Sequence, residues 1–316
     1  MKRVGYLYER VCSINNLKLA DRIASRGKSK QRGVVNHRRQ SESNILKLHE
    51  SLKNKTYKTS EYHTFTLFDK KEREIHSLPY YPDRIVQHAI MNVLEKTFVA
   101  TFVADTYSCI KRRGIHKALR KVTHALKDRE GTKYCLKLDI KKFYPSVDNE
   151  ILKKLLRRKF KDNDLLTLLD DIINSQKGIP IGNLTSQWFA NYYLTPFDHW
   201  LKETKRVKYY FRYCDDIVIL HHDKEYLHSL RLDIQEYLAN NLNLQLKSNW
   251  QVFPIESRGL DFVGYKSYHD YILLRKSIKD NFKYMIRNNF NRASICSYYG
   301  WIKHCNGKNL LNTYIE

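Results

Sequence analysis

The run Phe211-Arg212-Tyr213-Cys214-Asp215-Asp216-Ile217-Val218-Ile219-Leu220 decides how the rest of the chain is read. Aromatic and β-branched residues on both sides of the acidic pair predict two strands over about 207–221, joined at a tight turn. Such turns ordinarily carry Asp-Gly or Asn-Gly, and nothing in an apolar hairpin calls for two adjacent like charges. A solvated acidic turn is the competing reading. The apolar flanks favour another, in which Asp215 and Asp216 serve a hard divalent cation. Mg²⁺ prefers carboxylate oxygens and leaves positions open for phosphate. Two such ions would activate an attacking hydroxyl and stabilise a leaving pyrophosphate.

Upstream, Tyr134-Cys135-Leu136-Lys137-Leu138-Asp139-Ile140 alternates as a strand and ends in an acid. Alternation puts Asp139 on the face of Lys137 and Cys135, with Leu136, Leu138 and Ile140 on the other. Spacing alone does not bring Asp139 to the Asp215 turn. Pro82 and Asp83 signal a helix start, and Ile85, Ala89, Ile90, Val93, Leu94 and Phe98 recur at helical spacing. Further helices are predicted after Gly114, at about 148–160 and 164–174, from Thr185 to Lys202 and from Lys224 to Asn241. The segment Gly178 to Asn183 breaks the chain. Short strands are predicted near 244–247, 250–254, 260–266 and 271–274, and helices from about 276 onwards. The fold class is α+β, a β-containing core between helical ends.

Composition narrows the function. The 316 residues carry a net charge of +24 with pI ≈ 9.7, and self-repulsion of that size fits a polyanionic partner, most commonly nucleic acid. A hydrophobic share of 42% excludes a fully disordered chain. No apolar run approaches the ~20 residues of a membrane span, mean hydropathy is −0.61, and Met1 to Tyr6 does not open a secretory signal. A cytoplasmic protein without membrane association is expected. Residues 1–60 are polar and basic. Between Arg26 and Arg39, Arg26, Lys28, Lys30, Arg32, Arg38 and Arg39 form either a phosphate-contacting arm or a solvated loop. Ser43 to Leu52 then reads as a short amphipathic helix with Ile45, Leu48, His49 and Leu52 on one side. The six cysteines are widely spaced without a Cys-x-x-Cys pair, which predicts reduced, mostly buried thiols.

Several ordered motifs resemble those of reverse transcriptases over roughly Phe65 to the C-terminal helices. Phe211 to Asp216 resembles the family's Tyr-x-Asp-Asp box, and Leu136 to Tyr144 its first metal-binding motif. Arg73-Glu74-Ile75 and Asp83-Arg84-Ile85-Val86-Gln87 are similar to the fingers motif of bacterial members. Thr106-Tyr107 with Arg113 to Leu119 is similar to the next motif, and Gly259 to Tyr265 to the primer-grip hairpin. The resemblance implies a right-hand polymerase fold: a basic N-terminal extension (1–60), fingers (61–130), a palm with an antiparallel sheet (131–266, with a fingers insertion at about 148–180) and a small helical thumb (267–316), with no room for an RNase H domain. It also implies an RNA-directed DNA polymerase.

By the same resemblance, Asp139 and Asp215 would hold two Mg²⁺ ions, replaceable by Mn²⁺, with support from Asp216 and the Ile140 carbonyl. Tyr144, beside Phe143, falls where the family gates against a ribose 2′-hydroxyl; a core tyrosine is the alternative. Lys71 and Arg73 would clamp the triphosphate, and positive clamps suit a reaction that depends on positioning and charge neutralisation. Arg113, Phe262, Gly264 and Tyr265 would meet nucleic acid. Lys247 is the candidate general acid, or else a solvated strand lysine.

The run Ile179-Pro180-Ile181-Gly182-Asn183-Leu184-Thr185-Ser186-Gln187 departs from the common pattern. Most reverse transcriptases carry a glutamine just before this glycine and a Ser-Pro pair further on. Ile181 and Ser186-Gln187 stand there instead, a variant similar to the enzymes of diversity-generating retroelements, which copy a template RNA into cDNA with errors at adenines and are related to group II intron-type enzymes. Ile181, Gly182 and Gln187 would then face the dNTP. A glutamine amide can hydrogen-bond the nucleotide, whereas isoleucine offers only packing and cannot penalise misplaced polar groups. Ile181 as plain core is the competing reading. Implied partners are template RNA, cDNA, dNTPs and an accessory variability protein. Alternatives are a retron, phage-defence or intron-type reverse transcriptase, and a non-catalytic, maturase-like RNA-binding module.

Overall fold

The computed structural model describes residues 2–69, 71–288 and 291–315, with backbone alone for Asp69, Lys71, Tyr314 and Ile315. Helices α1 (Tyr8–Cys12), α2 (Ile14–Ala24), α3 (Arg32–Arg38) and α4 (Ser41–Lys53) open the chain. The hairpin β1 (His63–Asp69) and β2 (Lys71–Ser77) leads into α5 (Ile85–Thr101) and α6 (Ile115–Ala125). Strand β3 (Tyr134–Asp139) precedes α7 (Phe143–Ser146), α8 (Asn149–Lys159), α9 (Asn163–Asn174), α10 (Leu184–Tyr193) and α11 (Thr195–His199). Next come β4 (Tyr209–Tyr213), β5 (Asp216–His221), α12 (Lys224–Leu242), β6 (Gln251–Pro254) and α13 (Ile255–Arg258). Strands β7 (Leu260–Phe262), β8 (Tyr265–Ser267) and β9 (Ile272–Leu274) are followed by α14 (Lys276–Asn288), α15 (Arg292–Ile302) and α16 (Lys308–Ile315).

The chain divides into two compact units. The first joins Met1–Phe102, Lys142–Pro196 and Asn240–Leu244. Its centre is α5, whose apolar stripe buries Ile85, Ala89, Ile90, Leu94 and Phe98. The Phe98 ring packs among Phe160, Trp188 and Tyr192, with centroids 5.0–6.2 Å apart. Each such aromatic or aliphatic burial is worth about 1.5–3 kcal/mol. Helix α2 lies on α5, where Asn16 Nδ2 donates to the Ala89 carbonyl at 3.0 Å. Just before α5, the fully buried Asp83 carboxylate accepts from Tyr57 Oη (2.8 Å) and from the Ser60 amide (3.0 Å).

The second unit joins Val103–Lys141, Phe197–Ala239 and Gln245–Glu316. It holds an antiparallel sheet in the order β4-β5-β3-β6 and a smaller antiparallel sheet in the order β7-β8-β9. Ala118, Val122 and Ala125 of α6 share one apolar cluster with Cys135, Phe211, Val218, Phe253 and Phe262. A second cluster joins Tyr265 and Leu274 to Phe282, Met285 and Ile302 of the C-terminal helices.

Three local expectations are corrected. The 26–39 segment is not all loop: Arg32–Arg38 forms α3, because Val34 and His37 are buried on one side and His37 Nε2 lies 3.3 Å from Asp21 Oδ1. The strand expected at 244–247 reduces to one bridge from Leu246 to Ile140, flanked by the bonds Lys141 N–H to Gln245 O and Lys247 N–H to Asp139 O, both 2.8 Å. The cysteines are all free, but only Cys12 and Cys135 are buried; Cys109 sits in a loop and Cys296 on the outer side of α15.

Candidate active site

Strands β4 and β5 pair with Tyr213 opposite Asp216, which leaves Cys214 and Asp215 as a two-residue connection. Cys214 takes φ of 59°, the positive value that such tight hairpin connections use to match strand twist. Strand β3 pairs with β5 so that Asp139 stands directly opposite Asp216. Directly opposed residues of antiparallel strands have Cα atoms about 4.5–5.5 Å apart. Asp139, Asp215 and Asp216 therefore meet at one end of one sheet. Ile140 is buried, and the two bonds beside its bridge leave its own carbonyl out of that pairing.

The three acids are half-buried and repel one another. Burial first, and then the Asp139 charge, push the Asp215 carboxyl above the usual range. Burial also raises Asp216, to about 6; Lys137 opposes this, while Asp139 and Asp215 reinforce it. Two carboxylate oxygens, Asp139 Oδ1 and Asp216 Oδ1, are buried without a hydrogen-bond partner.

Cations answer this charge in part. Lys247 Nζ contacts Asp139 Oδ2, and Lys137 Nζ lies 3.7 Å from Asp216 Oδ2 while also donating to the Asp261 carbonyl. Arg275 Nε donates to Asp261 Oδ1 at 2.7 Å. The three acids, Lys137 and Arg275, with Arg258 and Asp261, line a cleft of about 680 Å³. Lys137, Asp261, Arg258 and Arg275 were not among the sequence candidates. The signal for Lys137 was its place two residues before Asp139 on the same strand face; the others carry no local signal.

The candidates for nucleotide contact lie in the first unit. Ile179 N–H donates to the Tyr144 carbonyl at 3.0 Å, and His76 N–H of β2 donates to the Ile181 carbonyl at 2.8 Å. Gly182 has φ of 133°, and a Cβ there would strike the His76 carbonyl oxygen, so this stitch to β2 requires glycine. Gln87 Oε1 accepts from the Leu184 amide at 2.9 Å and so serves the start of α10. The loop thus ties Tyr144, Ile181 and β2 together through main-chain atoms. Phe143 is buried, Tyr144 and Ile181 half-buried, Arg73 and Gln187 exposed; the Lys71 side chain lies outside the described residues.

Among the candidates for nucleic-acid contact, Arg26, Lys30, Arg32, Arg38 and Arg39 are exposed and Lys28 half-buried. Arg113 is engaged internally, donating from Nη1 to the carbonyls of Val103 (2.7 Å) and Thr106 (3.2 Å). Phe262 and Tyr265 face the core instead of solvent, and Tyr265 Oη donates to the Trp301 carbonyl at 3.0 Å. Gly264, with φ of 89°, permits this packing because a Cβ would strike the Trp301 ring.

Whether the acids suit a divalent ion is decided by donor chemistry and by unmet valence. Among the described residues, no group of three or more His, Cys, Asp or Glu side chains forms a ready-made ion cage. At Asp139 the lysine ammonium is the cation in place. The donors are nevertheless all oxygens, as Mg²⁺ prefers, and the two unpartnered carboxylate oxygens are the atoms a cation would satisfy. The residues fit the ion.

Known proteins give the same architecture. The chain is 24% identical over 234 residues to protein YkfC of Escherichia coli (strain K12), covering 60% of this chain and 61% of that one. It is 28% identical over 225 residues to the retron Ec73 reverse transcriptase of Escherichia coli, covering 65% and 69%. In fold it matches apo telomerase from Candida tropicalis with a TM-score of 0.52 at 12% identity, over 69% of this chain and 48% of that one. The fold is thus the α+β polymerase fold, and the chain spans about three fifths of YkfC. No helix among the described residues is long and apolar enough to cross a membrane. The family model described as reverse transcriptase (RNA-dependent DNA polymerase) matches residues 52–267, and the chain belongs to that family.

Proposed function

We propose that the chain is an RNA-directed DNA polymerase that copies a template RNA into cDNA from dNTPs. The observation that carries this reading is Asp139 standing opposite Asp216, with Asp215 in the adjoining turn. Asp139 and Asp215 would hold two Mg²⁺ ions, or Mn²⁺, with Asp216 and the Ile140 carbonyl as support. Bound ions would neutralise charge on the attacking and leaving oxygens of the displacement. Lys137, Arg258 and Arg275 supply positive charge in the same cleft, suited to a phosphodiester backbone. Lys247, on Asp139, is the candidate proton donor to pyrophosphate. Lys71 and Arg73 are the candidate triphosphate clamps, and Phe143, Tyr144, Ile181, Gly182 and Gln187 the candidate nucleotide contacts. The exposed arginines and lysines of residues 26–39 would contact template phosphates. In this reading the β1–β2 hairpin acts as fingers, the β4-β5-β3-β6 sheet as palm and α14 to α16 as thumb.

Primer extension on an RNA template tests it. Asp139→Ala and Asp215→Ala should each lower synthesis by about 10³-fold or more; full synthesis by both folded variants would overturn the assignment.

The finer reading is error-prone copying at template adenines, as in a diversity-generating retroelement, with a small basic accessory protein as partner. It rests on Ile181, whose half-exposed side chain stands where a hydrogen-bonding glutamine is usual. The likeness to a retron enzyme favours a second reading, a retron-type reverse transcriptase. Near-identical repeats differing at adenines beside the gene support the first; their absence supports the second.

A further inference from the structure

Arg212 and Asp198 form the largest charged feature that the proposed chemistry leaves unused. Both side chains are wholly excluded from solvent. The guanidinium grips the carboxylate in a fork, Nε to Oδ1 at 2.7 Å and Nη2 to Oδ2 at 2.6 Å. Asp198 also accepts from Tyr210 Oη at 2.5 Å and Thr106 Oγ1 at 3.2 Å. The Arg212 main chain is clamped as well: its N–H donates to the Asp105 carbonyl at 2.9 Å, and its carbonyl accepts from Tyr107 N–H at 3.0 Å. From this fixed platform Arg212 also reaches the turn. Arg212 Nη1 donates to the Cys214 carbonyl at 2.9 Å.

Stability alone does not call for this arrangement, because replacing a buried ion pair with apolar residues of similar volume is often neutral or stabilising. The bond to the turn suggests what the pair is for. Cys214 is an L-residue held at φ of 59°, a left-handed conformation that is unfavourable by about 1–2 kcal/mol. Its carbonyl belongs to the peptide that joins Cys214 to Asp215. Fixing that oxygen fixes the peptide plane, and with it the direction in which the Asp215 side chain leaves the turn. Burial opposes the guanidinium's charge, but the Asp198 carboxylate outweighs it and keeps Arg212 protonated.

We propose that Arg212, locked in place by Asp198, is a positioning residue that pins the Cys214–Asp215 peptide and so aims the Asp215 carboxylate at the divalent-ion site. This rests on reading Asp215 as an ion-holding carboxylate. Arg212 acts through the turn and touches neither ion nor substrate.

Two kinds of variant test it in the full chain. Arg212→Met combined with Asp198→Leu removes both charges together, leaves no uncompensated ion, and should melt within a few degrees of the parent. Arg212→Lys keeps a cation for Asp198 but loses the fork, and it carries the same measurements should the double variant not fold. Hydrogen exchange of the 212–216 amides in ion-free protein should accelerate about tenfold or more. Mn²⁺ half-saturation, followed by electron paramagnetic resonance, should rise about tenfold, and kcat should fall about 10²-fold with the dNTP KM nearly unchanged. A folded variant with parental exchange and parental Mn²⁺ half-saturation overturns the proposal. Asp215→Ala is the control: if it keeps Mn²⁺ binding and synthesis, the ion-site reading falls by itself, whereas the exchange result still decides whether Arg212 holds the turn.

Discussion

Asp198 and Asp139 each contact a cation within the same unit, yet they are treated oppositely. Asp198 is fully buried, and both its oxygens accept hydrogen bonds, from Arg212, Tyr210 and Thr106. Asp139 is about a third exposed; one oxygen meets Lys247 while the other is buried without a partner, and two more acids crowd beside it. A charge whose task is to hold other groups in place is satisfied completely. A charge kept for chemistry is left partly unanswered, with its neighbours pushed toward protonation.

The largest expected effect comes from the unanswered side. Asp215→Ala should nearly abolish primer extension, yet ion-free protein at pH 8 should melt no lower than the parent. The sign follows from linkage: the folded pKa is raised above its unfolded value, so the ionised carboxylate disfavours the folded state above that pKa, and removing it relieves the strain. A clear fall in melting temperature would break the contrast with Asp198. On the answered side, Asp198→Ala leaves a guanidinium buried without its counter-ion and should destabilise by about 3–5 kcal/mol, measured by urea unfolding.

His88 sharpens the comparison with cations instead of acids. Burial, then the nearby charges of Lys28 and Arg84, depress its pKa to about 4. Between pH 4 and 6.5 the unfolded chain binds the proton more readily, so stability should fall as pH drops through that window. His88→Gln should flatten this acid limb in melts taken across pH 4–7; an unchanged slope would place the acid sensitivity elsewhere. The smallest effect is expected at the loop. Ile181→Gln should leave folding intact and lower misincorporation opposite template adenine several-fold, read by sequencing the cDNA.

The core of the site was legible because its residue types conflict with their surroundings. Adjacent acids in a run of aromatic and β-branched residues predicted the β4–β5 hairpin, and the alternation of 134–140 predicted β3 with Asp139 at its end. What sequence spacing could not supply was the register that sets Asp139 against Asp216, since pairing between strands some eighty residues apart leaves no local trace. Arg212 is wholly buried and needs a counter-ion, but nothing in the sequence marks Asp198 of α11 as the one. Helices α2 and α3 were obscured by their many cations, which hide the few positions that anchor them: Leu17, Ala20 and Ala24 in α2, Val34 and His37 in α3. The β1–β2 hairpin is hidden in the sequence for the opposite reason. Phe65, Leu67 and Phe68 are 44–77% exposed, so its apolar pattern does not report a buried face.

The stitch between Ile181 and β2 has an evolutionary corollary. It is made by an amide and a carbonyl that nearly every amino acid possesses, while the neighbouring glycine absorbs the steric demand. Residue 181 is therefore free to mutate at little risk to the architecture. Whatever trait its side chain governs can drift or be selected through single codon changes, much as a tuning screw turns without disturbing the frame that holds it.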